Sequence, residues 1–212
     1  MHHDPDDSED LLRRAAAGDK AALATLWERH RARLRQMVRL RLDRRLQGRV
    51  APPDVQQDAD LDRAARLPDY ARERPMPTYL WLRLVTGQRL AQVHRQHLGA
   101  AMRDAGREVS LYRGAYPQAS SASLAAQLLG RFTTASQAAV RAERQVQLQE
   151  ALNSMDPLDR EILALRHFEQ LSNGEAAQVL GLSKTAANNR SVRALGRLRD
   201  LLGRVPGFLD QG

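Results

Sequence analysis

The sequence predicts an all-α chain of two small helical domains joined by a long flexible linker. Three observations carry that prediction. Hydrophobic residues make up 42% of the 212, much of them Ala and Leu, and aromatics only 4%, a composition that favours helices over a sheet sandwich. Apolar residues recur near the helical period over several long stretches. Between 99 and 135 that periodicity weakens, over a span too long for an ordinary loop in a compact domain. The expected division is a domain over 8–98, a linker over 99–135 and a second domain over 136–205.

The same composition excludes several classes. There is no Cys, so disulfides and thiolate metal sites are ruled out. No apolar run approaches the roughly 18 residues of a membrane span, and the start MHHDPDDSED is no signal peptide; the expected location is the cytoplasm, with no membrane partner. The formal net charge is +8, and Lys20 and Lys184 are the only lysines, so Arg supplies nearly all the positive charge. A basic chain of this kind suits a polyanion such as nucleic acid.

The first ten residues carry five acids and no Lys or Arg and read as a frayed tip. Ser8 caps a first helix that Gly18 ends, and Asp19 caps a second from Lys20 to Gln47. Leu26, Trp27, Leu34, Met37 and Val38 give the second helix an apolar face. Pro52 and Pro53 suit the first turn of a third helix ending near Arg66. Its Asp54, Asp58, Asp60 and Asp62 reverse the sign of a basic chain, which points to a protein contact rather than DNA. Three prolines and no periodicity make Leu67 to Pro77 a loop. Thr78 caps a fourth helix to His97, with Leu80, Trp81, Leu84, Val85, Leu90 and Val93 as its buried face. Arg83, Gln88, Arg89, Gln92, His94 and Arg95 lie near its other face. Aromatic and Arg side chains together suit single-stranded nucleic acid, because bases stack on rings while Arg meets phosphate. Trp81 itself reads largely as core. A short helix around Leu124 to Leu129 follows, and Ser136 caps another ending near Asn153.

The most informative stretch is Asp156 to Leu202. Asp156 with Pro157 is an N-cap followed by a first-turn proline. Ser172 and Glu175 form a capping box. Gly181 stands where a helix must stop in a left-handed conformation, Leu182 plugs the turn, and Ser183 caps the last helix, from Lys184 to Leu202. That spacing matches a helix-turn-helix with its recognition helix. Lys184, Thr185, Asn188, Asn189, Val192 and Arg193 fall near the exposed face of the recognition helix, where Asn suits adenine edges and Arg suits guanine edges. Arg166, Arg197 and Arg199 are placed to hold phosphates.

These residues resemble bacterial RNA polymerase sigma factors of the sigma-70 family, extracytoplasmic-function group. DPLDREILALRHFEQLSNGEAAQVLGLS and RALGRLRDLL are close to the pattern of that group's C-terminal domain. Upstream, DVQQDA (Asp54 to Ala59) is similar to its D-V-V-Q-E-A segment, and YLWLRL (Tyr79 to Leu84) to its aromatic W-L segment. The resemblance implies binding to core RNA polymerase and promoter-specific initiation, with no cofactor. It places Asp54, Gln57, Asp58 and Leu61 on the clamp helices of the largest subunit. It gives Tyr70, Trp81, Arg83, Gln88, Arg89, Gln92 and Arg95 to recognition and melting of the minus-ten element. It gives Arg166, Lys184, Thr185, Asn188, Asn189, Val192, Arg193 and Arg197 to the minus-thirty-five element. An anti-sigma protein is a further implied partner. The recognition helix departs from the family's E-G-T-V-K-S-R-L: it reads KTAANNRS, keeps only Arg190, and resembles a planctomycete-like subgroup.

Two other readings compete. A stand-alone helix-turn-helix regulator would bind duplex DNA without polymerase, but the N-terminal half lacks the alternating strand-helix pattern of a receiver domain. A metal-dependent enzyme would use His94 and His97, three apart on a helix, but no third ligand, nucleophile constellation or phosphate-binding Gly loop accompanies them.

Overall fold

A computed structural model of the chain describes residues 5–98, 117–132 and 138–204. Their regular structure is entirely helical: α1 (Pro5–Ala16), α2 (Lys20–Arg41), a 3-10 turn (Arg44–Leu46), α3 (Pro52–Glu73), α4 (Thr78–Leu98), α5 (Ser121–Phe132), α6 (Ala138–Asn153), α7 (Pro157–Leu163), α8 (Asn173–Leu180) and α9 (Lys184–Gly203). None of these helices is long and apolar enough to cross a membrane. The described residues fall into two compact units: 5–38 with 44–98, and 39–43 with the residues from 117 onward. The cap predicted at Ser136 lies outside the described residues.

In the first unit Gly18 turns the chain at φ +95°, and Asp19 caps α2 by accepting from the amides of Ala21 (2.9 Å) and Ala22 (3.0 Å). The Ala22 amide, then Arg14, hold the Asp19 carboxyl below the usual carboxylate range. Leu26, Trp27, Leu34, Met37 and Val38 are buried, as the periodicity requires. α2 ends at Arg41 rather than Gln47, because Arg44–Leu46 tightens into the 3-10 turn and Gly48 adopts φ +93°.

α3 differs most from the sequence reading. The segment expected to be a loop over 67–77 is helical as far as Glu73, with Pro68 inside the helix. Proline there costs about 3 kcal/mol or more. Leu67 and Tyr70 are both buried and stand three residues apart, so they continue one helical stripe. Tyr70 stacks on Trp81 with ring centroids 4.2 Å apart, and its hydroxyl donates to the Met76 carbonyl at 2.9 Å. Aromatic burial and stacking offset the proline cost. The helix stops where Arg74 turns left-handed at φ 42°.

In the second unit α5 and α6 pack together, so part of the expected linker is helix. At 39–43, Arg41 is fully buried and pairs with Glu161 and, at 2.5 Å, with Glu169. Glu161 also accepts from the Ala119 amide at 2.9 Å. α7 opens with the predicted cap: Asp156 accepts from the Leu158 amide at 2.8 Å, with Pro157 in the first turn. Beyond Leu163 the helix widens to a π-turn over Ala164–Phe168, and the Glu169 amide donates to the Ala164 carbonyl.

Candidate nucleic-acid interface

The interface in the second unit is built by local chemistry. Ser172 accepts from the Glu175 amide at 3.2 Å while Glu175 accepts from the Ser172 amide at 2.7 Å, which satisfies two donors at the start of α8. Gly181 closes α8 at φ 62°, ψ 36°, a conformation that costs other L-residues energy. Its amide donates back into the helix, and the Leu182 amide donates to the Ala177 carbonyl. Ser183 then accepts from the Ala186 amide and starts α9. Ala176, Ala177 and Ala187 are buried where α8 and α9 pack.

On α9, Lys184, Thr185, Asn188, Asn189, Val192 and Arg193 are all exposed. Val192 is 65% exposed, a waste of apolar surface unless something covers it. Positions 185, 188, 189 and 192 are spaced as one helical face. Their exposure is what the helical spacing predicts.

Two predicted phosphate contacts are engaged inside the protein. Arg166 Nη1 donates to the Leu171 carbonyl, bracing the turn before α8. Arg197 Nη1 donates to Asp159, although its side chain is 56% exposed. Asp159 is 2% exposed and also accepts from Arg190 Nε at 2.7 Å, while Arg190 Nη2 donates to Asp156 at 2.8 Å. The carboxylates of Asp156, which caps α7, and Asp159 within it thus hold α9 in place. The sequence reading missed this tie, although Arg190 was the one recognition-helix residue kept from the family pattern. It also missed Asn173, the first residue of α8, whose Nδ2 donates to Asn188 Oδ1 at 2.8 Å.

In the first unit Asp54, Gln57, Asp58 and Leu61 are all exposed and share one face of α3. Leu61, at 71% exposure, is an apolar side chain presented to solvent. Asp54 also accepts from the Ala51 amide at 2.9 Å. The residues expected at the melting surface divide. Tyr70, Trp81 and Arg83 are buried, Arg83 completely; the sequence reading put Arg83 on the open face. Arg89 makes a two-pronged contact with Asp62, at 2.9 and 2.7 Å, which raises its pKa. Gln88 accepts from Arg66 at 2.8 Å. Gln92 is partly exposed and Arg95 exposed.

His94 is buried and His97 exposed. No group of three or more candidate metal ligands occurs among the described residues.

The family model "Sigma-70, region 4" matches residues 145–198, which run from within α6 through most of α9. Over 190 residues the chain is 28% identical to a protein of Mycobacterium tuberculosis (strain ATCC 25618 / H37Rv) called ECF RNA polymerase sigma factor SigD, covering 90% of this chain and 81% of that one. It is 40% identical over 55 residues to the RNA polymerase sigma-E factor of Streptomyces antibioticus, 26% of this chain and 31% of that one. Among solved structures it is similar to CnrH in complex with the cytosolic domain of CnrY, with a TM-score of 0.56, 25% identity, and coverage of 93% of this chain and 97% of that one.

Proposed function

We propose how the surfaces of this chain, an extracytoplasmic-function RNA polymerase sigma factor of the sigma-70 family, divide the work of directing promoter-specific transcription initiation. The observation that carries the proposal is the exposed face of α9, held on a helix-turn-helix whose caps and turn are complete. That face reads the minus-thirty-five element in the major groove. Lys184, Thr185, Asn188, Asn189, Val192 and Arg193 are the reading set. Arg166 and Arg197 support it from inside, by bracing the turn and tying α9 to α7.

The acidic face of α3, with Asp54, Gln57, Asp58 and Leu61, docks on the clamp helices of the largest polymerase subunit. Its exposed leucine among carboxylates supports a protein partner. The minus-ten element is opened beside α4, by capture of unstacked bases and without ATP, a logic related to base flipping. Gln88, Arg89, Gln92 and Arg95 meet the strand there, and the Tyr70–Trp81 stack and Arg83 form the rigid wall behind them. The division into a polymerase-binding and melting domain over 8–98, a linker over 99–135 and a reading domain over 136–205 follows the same logic, with α5 as a helical piece of the linker segment. The chain works in the cytoplasm, where polymerase is. An anti-sigma protein covering these surfaces fits the likeness to CnrH, which is solved in complex with the cytosolic domain of CnrY. Placement in a planctomycete-like subgroup rests on KTAANNRS alone; the relatives above come from Mycobacterium and Streptomyces.

The test is reconstitution. The purified chain should co-migrate with core polymerase and direct transcription in vitro from a specific promoter. Tight binding to a duplex site by the chain alone, with no association with core polymerase, would instead establish a stand-alone regulator.

A further inference from the structure

The hydrogen bond between Asn173 and Asn188 joins two helices through two uncharged amides at the protein surface. Water could satisfy both groups equally well, so such a bond adds little to stability. Its consequence is orientation. Asn188 Oδ1 accepts from Asn173 Nδ2 at 2.8 Å, which fixes the Asn188 amide plane on the reading face. Neither amide has another protein partner among the hydrogen bonds of the described residues. Asn188 Nδ2 is therefore left to donate, and Asn173 Oδ1 to accept. A donor and an acceptor left on two joined amides complement the N7 acceptor and N6 donor that adenine shows in the major groove.

We propose that Asn173, which lies outside the reading helix, is a specificity-determining residue that acts with Asn188 as one two-amide unit reading a single adenine of the upstream promoter element. This rests on the reading of α9 as the promoter-reading helix. The unit splits the two halves of an adenine contact between two helices, where a lone Asn would supply both.

The test uses holoenzyme, made from the full chain and core polymerase, on promoters with every base pair of the upstream element varied in turn. Asn173→Ala and Asn188→Ala should each abolish the preference for the same one adenine, by about tenfold or more. The double variant should lose little beyond either single one, because the two amides act together. Asn173→Asp supplies a second arm. A carboxylate is well placed in the first turn of α8, so the variant keeps its fold. It can only accept, so Asn188 turns its Nδ2 towards it and the unit becomes all acceptor. Preference at that position should then move from adenine towards cytosine, whose N4 is a donor. If Asn173→Ala keeps the wild-type base preference at every upstream position, or Asn173→Asp still prefers adenine, the two-amide unit is overturned while the reading role of α9 stands. If wild-type holoenzyme shows no preference at any upstream position, the reading role falls, and the unit with it.

Discussion

Asp159 Oδ1 accepts from Arg190 Nε at 2.7 Å, so a buried carboxylate of α7 grips the middle of the reading helix. Asp159 also takes Arg197, one of the arginines that sequence alone assigns to DNA phosphate. Asp159→Ala should destabilise the chain by about 2–3 kcal/mol, the range for a charged hydrogen bond lost from a buried partner. Arg197→Ala should cost under about 1 kcal/mol, because its side chain is largely in water. Denaturant midpoints of the full-length variants measure both. Equal losses would show that Asp159 is not the anchor.

Gly181 closes α8 in the left-handed region. Gly181→Ala should cost about 1–2 kcal/mol, and Gly181→Asn less, because Asn tolerates that conformation. Thermal melting of the two variants compares them. An alanine variant as stable as wild type would mean that the turn relaxes.

The exposed face of α3 gives a prediction for assembly. Leu61→Asp and the double reversal Asp54→Arg, Asp58→Arg should each weaken binding to core polymerase about tenfold or more, the effect of losing a central interface residue. Leu61→Asp should change stability little, within about 0.5 kcal/mol, whereas the double reversal also removes the bond from the Ala51 amide to Asp54 and should cost about 1 kcal/mol. Titration with core polymerase reads the first quantity and melting the second. Unchanged affinity in both variants would remove the docking role from this face.

Acid should act through Asp156. The Leu158 amide, and after it Arg190, hold its carboxyl below the ordinary carboxylate range. A carboxyl lowered on folding contributes stability that is fully present above the unfolded value, about 3.9. That contribution is lost as pH falls through the lower folded value. Asp156→Asn should therefore melt below wild type at neutral pH, with the gap closing as the solution is acidified below the unfolded value. A gap that stays constant through the acid range would assign the stabilisation to something other than ionisation.

What was legible in the sequence was local. Asp156, Ser172, Gly181 and Ser183 announce caps and a turn because each acts on amides or carbonyls a few residues away. The exposed face of α9 followed from helical spacing alone. Periodicity failed where a helix is covered almost all round. In α4, Tyr79 to Arg83 are all buried, so no stripe marks an open face, and Arg83 went to the wrong side. Pro68 announced a break that the burial of Leu67 and Tyr70 overrides. Asn173 was hidden because its partner lies fifteen residues away on another helix, a relation set by how α8 packs on α9.

Arg41 bears on where this chain can be cut. Its partners Glu161 and Glu169 come more than a hundred residues later, and the Ala119 amide also serves Glu161. A fragment beginning at residue 136 would carry the whole helix-turn-helix yet lack both Arg41 and Ala119. Glu161 would then lose two hydrogen-bond donors, and Glu169 its cation. The helix-turn-helix is contiguous as a motif, but the unit packed around it is discontinuous in sequence, and truncation there should act as a charge mutation at those two carboxylates.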